Sequence, residues 1–92
     1  MLIIADSGST KTDWRVLDQG NIILDFTTEG INPYFQDENH ITQIVNTKEI
    51  ADYKDKIMEI HFYGTGCSRS DKQEIVKRAL LDLFNSAEVN VY

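Results

Sequence analysis

The fold is decided by the stretch Leu2-Ile3-Ile4-Ala5-Asp6-Ser7-Gly8-Ser9-Thr10-Lys11-Thr12-Asp13-Trp14. Its first part, Leu2 to Ala5, is a short continuous apolar run, which is typical of a strand buried on both faces. The turn-prone residues Asp6-Ser7-Gly8-Ser9 then end that strand. Beyond the turn, Trp14 and Val16 lie at alternate positions, which indicates a second strand. The stretch therefore predicts a central strand with a polar turn at its end.

Two further strands follow this turn along the chain. The alternating segment runs from Asp13 to Asp18, and Gln19-Gly20-Asn21 supplies a turn after it. The segment from Ile22 to Thr28 is rich in β-branched and aromatic residues, which favour strands. Together with the first strand, these segments predict a three-stranded antiparallel meander.

The middle of the chain changes to helical spacing. Apolar residues recur at helical intervals after about Gln36, and Asp37 or Asn39 could cap this helix. The segment from Thr47 to Tyr53 either continues the helix or forms a separate short turn, and the sequence leaves both open. Lys56 to Tyr63 then reads as a strand that runs into a glycine-rich turn.

A second helix and a last strand complete the order of elements. Ser70 and Gln73 have the spacing of a capping box. One helical face after them is apolar and consists of Ile75, Val76, Ala79, Leu80, Leu83 and Phe84. Val89 to Tyr92 resembles the beginning of a strand. Because helical crossovers make later strands parallel to the first, the sequence predicts an α/β fold with a ribonuclease H-like βββαβα(β) mixed sheet.

Composition limits the classes of function. A chain of 92 residues can bury one core, so we expect a single domain over residues 1–92. The 15 acidic and 9 basic residues lack the positive surface of a nucleic-acid or anionic-membrane binder. Cys67 is the single cysteine, and no basic or long apolar segment suggests a signal peptide or a membrane span. These features predict a cytoplasmic location.

The turn after the first strand carries the clearest chemistry. Asp6 ends the strand, where its carboxylate could face a magnesium ion through water. Gly8 permits an unusual backbone angle and close approach by an anion. Ser9, Thr10 and the local amides can donate to phosphate oxygens, and Lys11 is a further candidate. The same residues also suit an ordinary hairpin turn, so the turn alone leaves both interpretations open.

The segment Asp6 to Thr12 resembles the first phosphate motif of the actin, sugar-kinase and heat-shock-chaperone ATPase superfamily. It lacks the spacing of a Walker A loop. Within the superfamily the chain is most similar to the N-acetylglucosamine kinases. These kinases are similar to the activator ATPases of benzoyl-CoA reductase and hydroxyacyl-CoA dehydratase. Gly30-Ile31-Asn32-Pro33 resembles their sugar-contact loop, and Tyr63-Gly64-Thr65-Gly66-Cys67 resembles the glycine turn after their fourth strand.

The resemblance implies a role for each matched residue. It implies that Thr10, together with Gly8, Ser9 and Lys11, binds the phosphates of ATP, and that Asp6 lies beside Mg²⁺. It implies that Asn32 donates or accepts a hydrogen bond with a sugar hydroxyl, and that Gly64 and Gly66 belong to the substrate site. Gly-Ile-Asn-Pro is also a plain turn in which asparagine satisfies local backbone groups, so the role of Asn32 stays open from the residues alone.

The resemblance also implies what lies outside this sequence. The superfamily has two domains that close over ATP, and its kinases use a catalytic aspartate soon after the fifth strand. We therefore expect the chain to be the amino-terminal subdomain of an actin-like ATPase fold, with its catalytic base beyond Tyr92 and with no transfer activity of its own. A homodimer is a further expectation.

Three functions compete at this point. The first is an ATP-dependent sugar kinase, with N-acetylglucosamine as the substrate. The second is an activator ATPase with a bridging iron–sulfur cluster, which needs cysteine thiolates, whereas this chain offers only Cys67. The third is a noncatalytic ribonuclease H-like binding module, for which the turn after the first strand would have no ligand. The cysteine content favours the kinase.

Overall fold

The computed structural model describes all residues from Met1 to Tyr92. The strands are β1 (Leu2–Ser7), β2 (Lys11–Asp18), β3 (Asn21–Glu29), β4 (Glu59–Gly64) and β5 (Glu88–Val91). The α-helices are α1 (Glu38–Val45) and α2 (Ser70–Leu83), and a 3₁₀-helix spans Ala51–Lys56. None of the helices is both long enough and apolar enough to cross a lipid bilayer.

The strands form one mixed sheet in the order β3-β2-β1-β4-β5. Strand β1 is antiparallel to β2 and parallel to β4, and β4 is parallel to β5. Strands β2 and β3 form an antiparallel hairpin, so β1 to β3 make the predicted meander. The prediction of an α/β fold with a ribonuclease H-like βββαβα(β) order is confirmed.

The hairpin between β2 and β3 has a two-residue turn. Gln19 and Gly20 both have positive φ, 52° and 83°, which fits a type I′ turn. The pairing register shifts between Val16 and Leu17, so β3 carries one extra residue near its start. The predicted turn position is correct, and the strand ends differ from the prediction by a residue or two.

The sheet is buried on one face. Ile3 and Ala5 are completely buried, whereas Ile4 between them is 37% exposed. The prediction that β1 is buried on both faces is therefore wrong. The reason is that α1 and α2 pack against each other and join the Ile3 side of the sheet in one hydrophobic cluster. The opposite face of β1 has no helix above it within this chain.

Trp14 lies at the centre of that cluster. Its ring stacks on Phe26 at 5.9 Å between centroids and lies at the same distance from Phe62 in a tilted arrangement. Its indole N–H donates to Thr28 Oγ1 at 2.9 Å, which satisfies the buried donor. Trp14 is thus part of the core, as its alternation with Val16 predicts.

The helix boundaries resolve the alternatives that the sequence leaves open. Asp37 caps α1, because its carboxylate accepts a hydrogen bond from the His40 amide at 2.8 Å. The segment after α1 is a separate 3₁₀-helix rather than a continuation. The predicted Ser70–Gln73 capping box is wrong, since Arg69 is the N-cap residue and the Gln73 side chain donates instead to the Cys67 carbonyl at 2.7 Å.

Candidate functional site

Three connections meet at one edge of the sheet. The parallel strands β1 and β4 end there, and β3 also ends there because it runs antiparallel to β2. The β1–β2 turn (Gly8–Thr10), the Asn32 loop (Gly30–Pro33) and the glycine turn (Gly64–Cys67) therefore come together. In open α/β sheets, ligands bind at the carboxyl ends of the strands, so this edge is the candidate site.

The β1–β2 turn offers hydrogen-bond donors without protein partners. The amides of Ser9 and Thr10 make no backbone hydrogen bond, and neither hydroxyl has a partner. The turn borders an open depression of about 330 Å³, which is lined by Asp6, Gly8, Ser9, Thr10, Lys11 and Asp13. Several free donors around one depression suit a group with many acceptor oxygens, such as a phosphate.

Gly8 differs from the sequence prediction in its backbone angle and in the hydrogen bond of its amide. Its φ is not positive, so the expected unusual backbone angle is absent. Its amide donates to the Lys11 carbonyl at 2.8 Å and is therefore not free for a ligand. A Cβ at this position would meet only Lys11 O at 3.7 Å. The open space beside Gly8 remains compatible with close approach by an anion.

Two carboxylates lie side by side below the turn. Asp6 on β1 and Asp13 on β2 are direct partners in the antiparallel pairing, so both side chains project from the same face. The Lys11 ammonium lies 3.9 Å from Asp13, and Thr27 donates a hydrogen bond to the same side chain at 3.2 Å. Carboxylate oxygens beside phosphate donors are the groups that Mg²⁺ with a nucleotide requires, so the residues present fit this cofactor pair.

The Asn32 loop is held by hydrogen bonds with the residues that directly follow it. Asn32 Oδ1 accepts the Tyr34 amide at 3.0 Å. The Gln36 side chain accepts the Asn32 amide at 2.7 Å and donates to the Gly30 carbonyl at 3.0 Å. Because Oδ1 is engaged by a backbone donor, the Asn32 Nδ2 is the atom that remains free to donate.

The glycine turn packs directly against Asn32. Gly66 has a φ of 76°, and a Cβ on it would lie 2.6 Å from Asn32 Oδ1 and 3.0 Å from the Tyr34 ring. The Gly64 amide donates to the Tyr92 carbonyl at 3.4 Å, and a Cβ on Gly64 would overlap the Phe62 ring. The structure therefore brings Gly66 to Asn32, whereas the Gly64 amide belongs to the sheet.

Cys67 faces the interior from this turn. Its side chain is almost fully buried, and its sulfur lies 3.8 Å from the Thr65 carbonyl. Burial raises the pKa of the Cys67 thiol, because the thiolate would lose its solvation. The thiol is therefore a packing group here.

Several residues of the site do not stand out in the sequence. Ser7 and Thr12 flank the β1–β2 turn and are both buried, whereas the sequence assigns Ser7 to the turn itself. Asp13 and Gln36 were also missed. The strand register could have identified Asp13, because residues at equal distances from a tight turn face each other. Nothing in the sequence predicts that Gln36 folds back onto the Asn32 loop.

No family model and no curated protein matches the chain. Among solved structures, it is similar to a protein from Porphyromonas gingivalis that is provisionally named N-acetylglucosamine kinase. The two share 35% sequence identity with a TM-score of 0.85. The match covers 99% of this chain and 34% of the other, so the chain spans about a third of that protein's length. The chain thus has the fold of the amino-terminal domain of a sugar-kinase-like protein.

Proposed function

We propose that this chain is the part of an ATP-dependent sugar kinase that holds the nucleotide phosphates and the sugar, and that the sugar is N-acetylglucosamine. The observation that carries the proposal is the unpartnered donor set of Ser9 and Thr10, together with the free Nδ2 of Asn32 on a loop that contacts the same turn through Gly30. The similarity to the Porphyromonas gingivalis protein supports the same function. The chain spans 34% of that protein, so the activity of the whole enzyme is part of the proposal.

The β1–β2 turn binds and orients the phosphates of ATP. Ser9 and Thr10 donate through their amides and hydroxyls to phosphate oxygens, and the Lys11 ammonium adds positive charge at the rim of the depression. Since phosphoryl transfer depends mainly on positioning and on charge stabilisation, a turn of fixed donors supplies much of what the reaction needs from this domain.

Asp6 and Asp13 hold the magnesium ion that accompanies the nucleotide. Their adjacent positions on β1 and β2 provide carboxylate oxygens, directly or through water. When bound, Mg²⁺ neutralises negative charge on the phosphates. The Lys11 ammonium lies close to Asp13 and limits the repulsion between the two carboxylates before the cation binds.

Asn32 orients the sugar. With Oδ1 held by the Tyr34 amide, Nδ2 donates to a sugar hydroxyl. Gly66 supports this orientation, because its missing Cβ leaves the space that the Asn32 carboxamide occupies. The base that accepts the proton of the attacking hydroxyl lies outside this chain in our proposal.

We favour the kinase over an activator ATPase because of the environment of Cys67. Iron–sulfur clusters are ligated by thiolates. The Cys67 side chain is buried and its pKa is raised, which disfavours the thiolate form. A packing role for the sole cysteine agrees better with a kinase.

Two substitutions test the proposal through different ligands. Thr10→Val removes a hydroxyl that has no protein partner and keeps the shape of the side chain, so we expect unchanged stability and about tenfold weaker binding of Mg-ATP. Asn32→Asp keeps an oxygen for the Tyr34 amide but removes the Nδ2 donor, so we expect about tenfold weaker binding of N-acetylglucosamine. Ser86→Ala, an exposed change outside the site, is the control.

Binding is measured by NMR titration of the 92-residue chain with each ligand. The proposal predicts that Thr10→Val affects the nucleotide and Asn32→Asp affects the sugar, each with little effect on the other ligand. If the unmodified chain binds neither ligand at millimolar concentration, or if both variants bind as the unmodified chain does, the proposed function is wrong.

A further inference from the structure

Two buried hydroxyls lie beneath the β1–β2 turn. Ser7 and Thr12 are the buried polar residues of the chain, with 4% and 0% exposure. They are cross-strand partners in the pair of β1 and β2 that lies nearest the turn, and their hydroxyl oxygens are 2.7 Å apart. Burying hydroxyls is unfavourable unless they are hydrogen-bonded, so their partners reveal what they hold in place.

The partners all belong to the segment that leads into the Asn32 loop. The Ile31 amide donates to Ser7 Oγ at 3.0 Å, and the Thr12 hydroxyl donates to the Glu29 carbonyl at 3.1 Å. The short contact between the hydroxyls is then a donation from Ser7 to Thr12. This series of three hydrogen bonds starts and ends on the same segment, residues 29–31, and holds it against the base of the turn. We call these three hydrogen bonds of Ser7 and Thr12 the clamp.

The clamp holds two backbones in direct contact. The Gly30 amide donates to the Thr10 carbonyl at 3.1 Å. A Cβ on Gly30 would lie 2.6 Å from the Gly8 carbonyl oxygen and 2.7 Å from that of Ser9. No side chain or water fits between the Asn32 loop and the β1–β2 turn here. Any shift of one loop therefore changes its position relative to the other.

We infer that Ser7 and Thr12 are positioning residues that fix the distance between the Asn32 loop, which holds the sugar, and the β1–β2 turn, which holds the phosphates. The inference rests on the proposed function for what the two loops bind. Ser7 and Thr12 touch neither ligand, because both side chains point into the interior. They act through the Ile31 amide, directly before Asn32, and through the Glu29 carbonyl at the start of the same segment.

The two hydroxyls contribute unequally. In Ser7→Ala, the Ile31 amide loses its acceptor while Ile31 stays buried. In Thr12→Val, the Ser7 hydroxyl can turn to the Ile31 carbonyl at 3.3 Å, and the Glu29 carbonyl keeps the Thr28 hydroxyl as a donor. We therefore expect Ser7→Ala to release the Asn32 loop more than Thr12→Val does. Thr12→Ser retains the hydroxyl and should keep all three hydrogen bonds of the clamp.

Amide hydrogen exchange of the 92-residue chain measures this release without any ligand. The quantity is the exchange rate of Ile31 divided by that of Leu80 in α2. We expect the ratio to rise about tenfold or more in Ser7→Ala, because a buried amide without a partner costs free energy. The rise should be smaller in Thr12→Val and absent in Thr12→Ser.

Thr42→Val is the matched control, since Thr42 donates to the Ala79 carbonyl at 3.1 Å between α1 and α2, away from the site. It should lower overall stability without raising the Ile31 ratio. An unchanged ratio in Ser7→Ala, or an equal rise in Thr42→Val, overturns the clamp.

Titration with N-acetylglucosamine then tests positioning itself. If the unmodified chain binds the sugar, Ser7→Ala should bind it about tenfold more weakly while Thr42→Val binds it normally. Equal affinity in Ser7→Ala overturns the positioning role. If the unmodified chain binds no sugar, the proposed function fails, and the exchange ratios still decide whether the two hydroxyls hold the loop.

Discussion

Asn32 depends on a glycine that is distant in sequence but adjacent in space. We predict that Gly66→Ala displaces the Asn32 carboxamide, because the new Cβ would lie 2.6 Å from Oδ1. The positive φ of 76° adds a cost of about 1–2 kcal/mol for a residue with a side chain. The measurements are the free energy of unfolding in urea and the NMR signal of the Asn32 side-chain amide.

Gly20→Ala provides the matched control. Gly20 has a similar φ of 83°, but a Cβ there would have no atom within 4 Å. This variant should lose about 1–2 kcal/mol from the backbone alone and leave the Asn32 signal in place. Equal losses in both variants, together with an unshifted Asn32 signal in Gly66→Ala, would contradict the close packing between the glycine turn and the Asn32 loop.

Single residues also mark the limit of what the sequence predicts. Trp14 is predictable, because a large apolar residue at alternate positions of a strand faces the core. The unusual angle predicted for Gly8 is wrong, and the tight contact belongs instead to Gly30. A glycine can be required by its own backbone angle or by a close contact with a distant segment. Only the first requirement can be recognised from the neighbouring residues in the sequence. The approach of Gly30 to the β1–β2 turn is a contact between distant parts of the chain.

At the scale of elements, the contact between α1 and α2 brings two acidic residues together. Partial desolvation raises the pKa of Glu38 above its ordinary value of 4.5, and the neighbouring Asp82 carboxyl raises it further. The folded state therefore binds this proton more tightly than the unfolded state does. The contribution of Glu38 to stability is present at pH below about 4.5 and is lost as the pH rises through the raised pKa.

We predict that Glu38→Gln raises the thermal unfolding midpoint slightly at pH 7, because solvent screens the repulsion between Glu38 and Asp82. The gain should vanish below pH 4.5, where Glu38 is protonated in both states. Thermal melts followed by circular dichroism from pH 4 to pH 7.5 measure the difference. The exposed Glu49 provides the control variant, Glu49→Gln. A gain that is independent of pH would exclude the proposed interaction with Asp82.

The sequence predicts the order of the strands and helices, but it predicts less well which groups pack against each of them. The run Leu2 to Ala5 indicates a central strand correctly, yet the second face of β1 is open because both helices lie on the other side. The apolar run identifies the strand, but whether one or both of its faces are buried depends on where the later helices pack. The failed capping box has a similar cause, since α2 has Arg69 rather than Ser70 at its N-cap and the Gln73 side chain donates to the Cys67 carbonyl in the preceding turn.

At the scale of the whole molecule, one cluster of 19 buried residues joins all five strands and both α-helices. The three connections of the candidate site leave from strands that share this core, so they cannot be lost one at a time without exposing apolar surface. This arrangement predicts a single cooperative unfolding transition, as is usual for domains of this size. The site should therefore form and disappear together with the fold.

Trp14, the only tryptophan, gives a direct test, because it is fully buried between Phe26 and Phe62. We predict that its fluorescence and the far-ultraviolet circular dichroism report the same midpoint and the same slope in urea. Mg-ATP at saturating concentration should raise both midpoints equally, because a ligand that binds only the folded state stabilises the whole cooperative unit. If the fluorescence changed at lower urea than the circular dichroism, or if only one midpoint responded to the nucleotide, the core and the candidate site would be separate units. In that case the clamp formed by Ser7 and Thr12 would act on a loop that opens independently of the sheet.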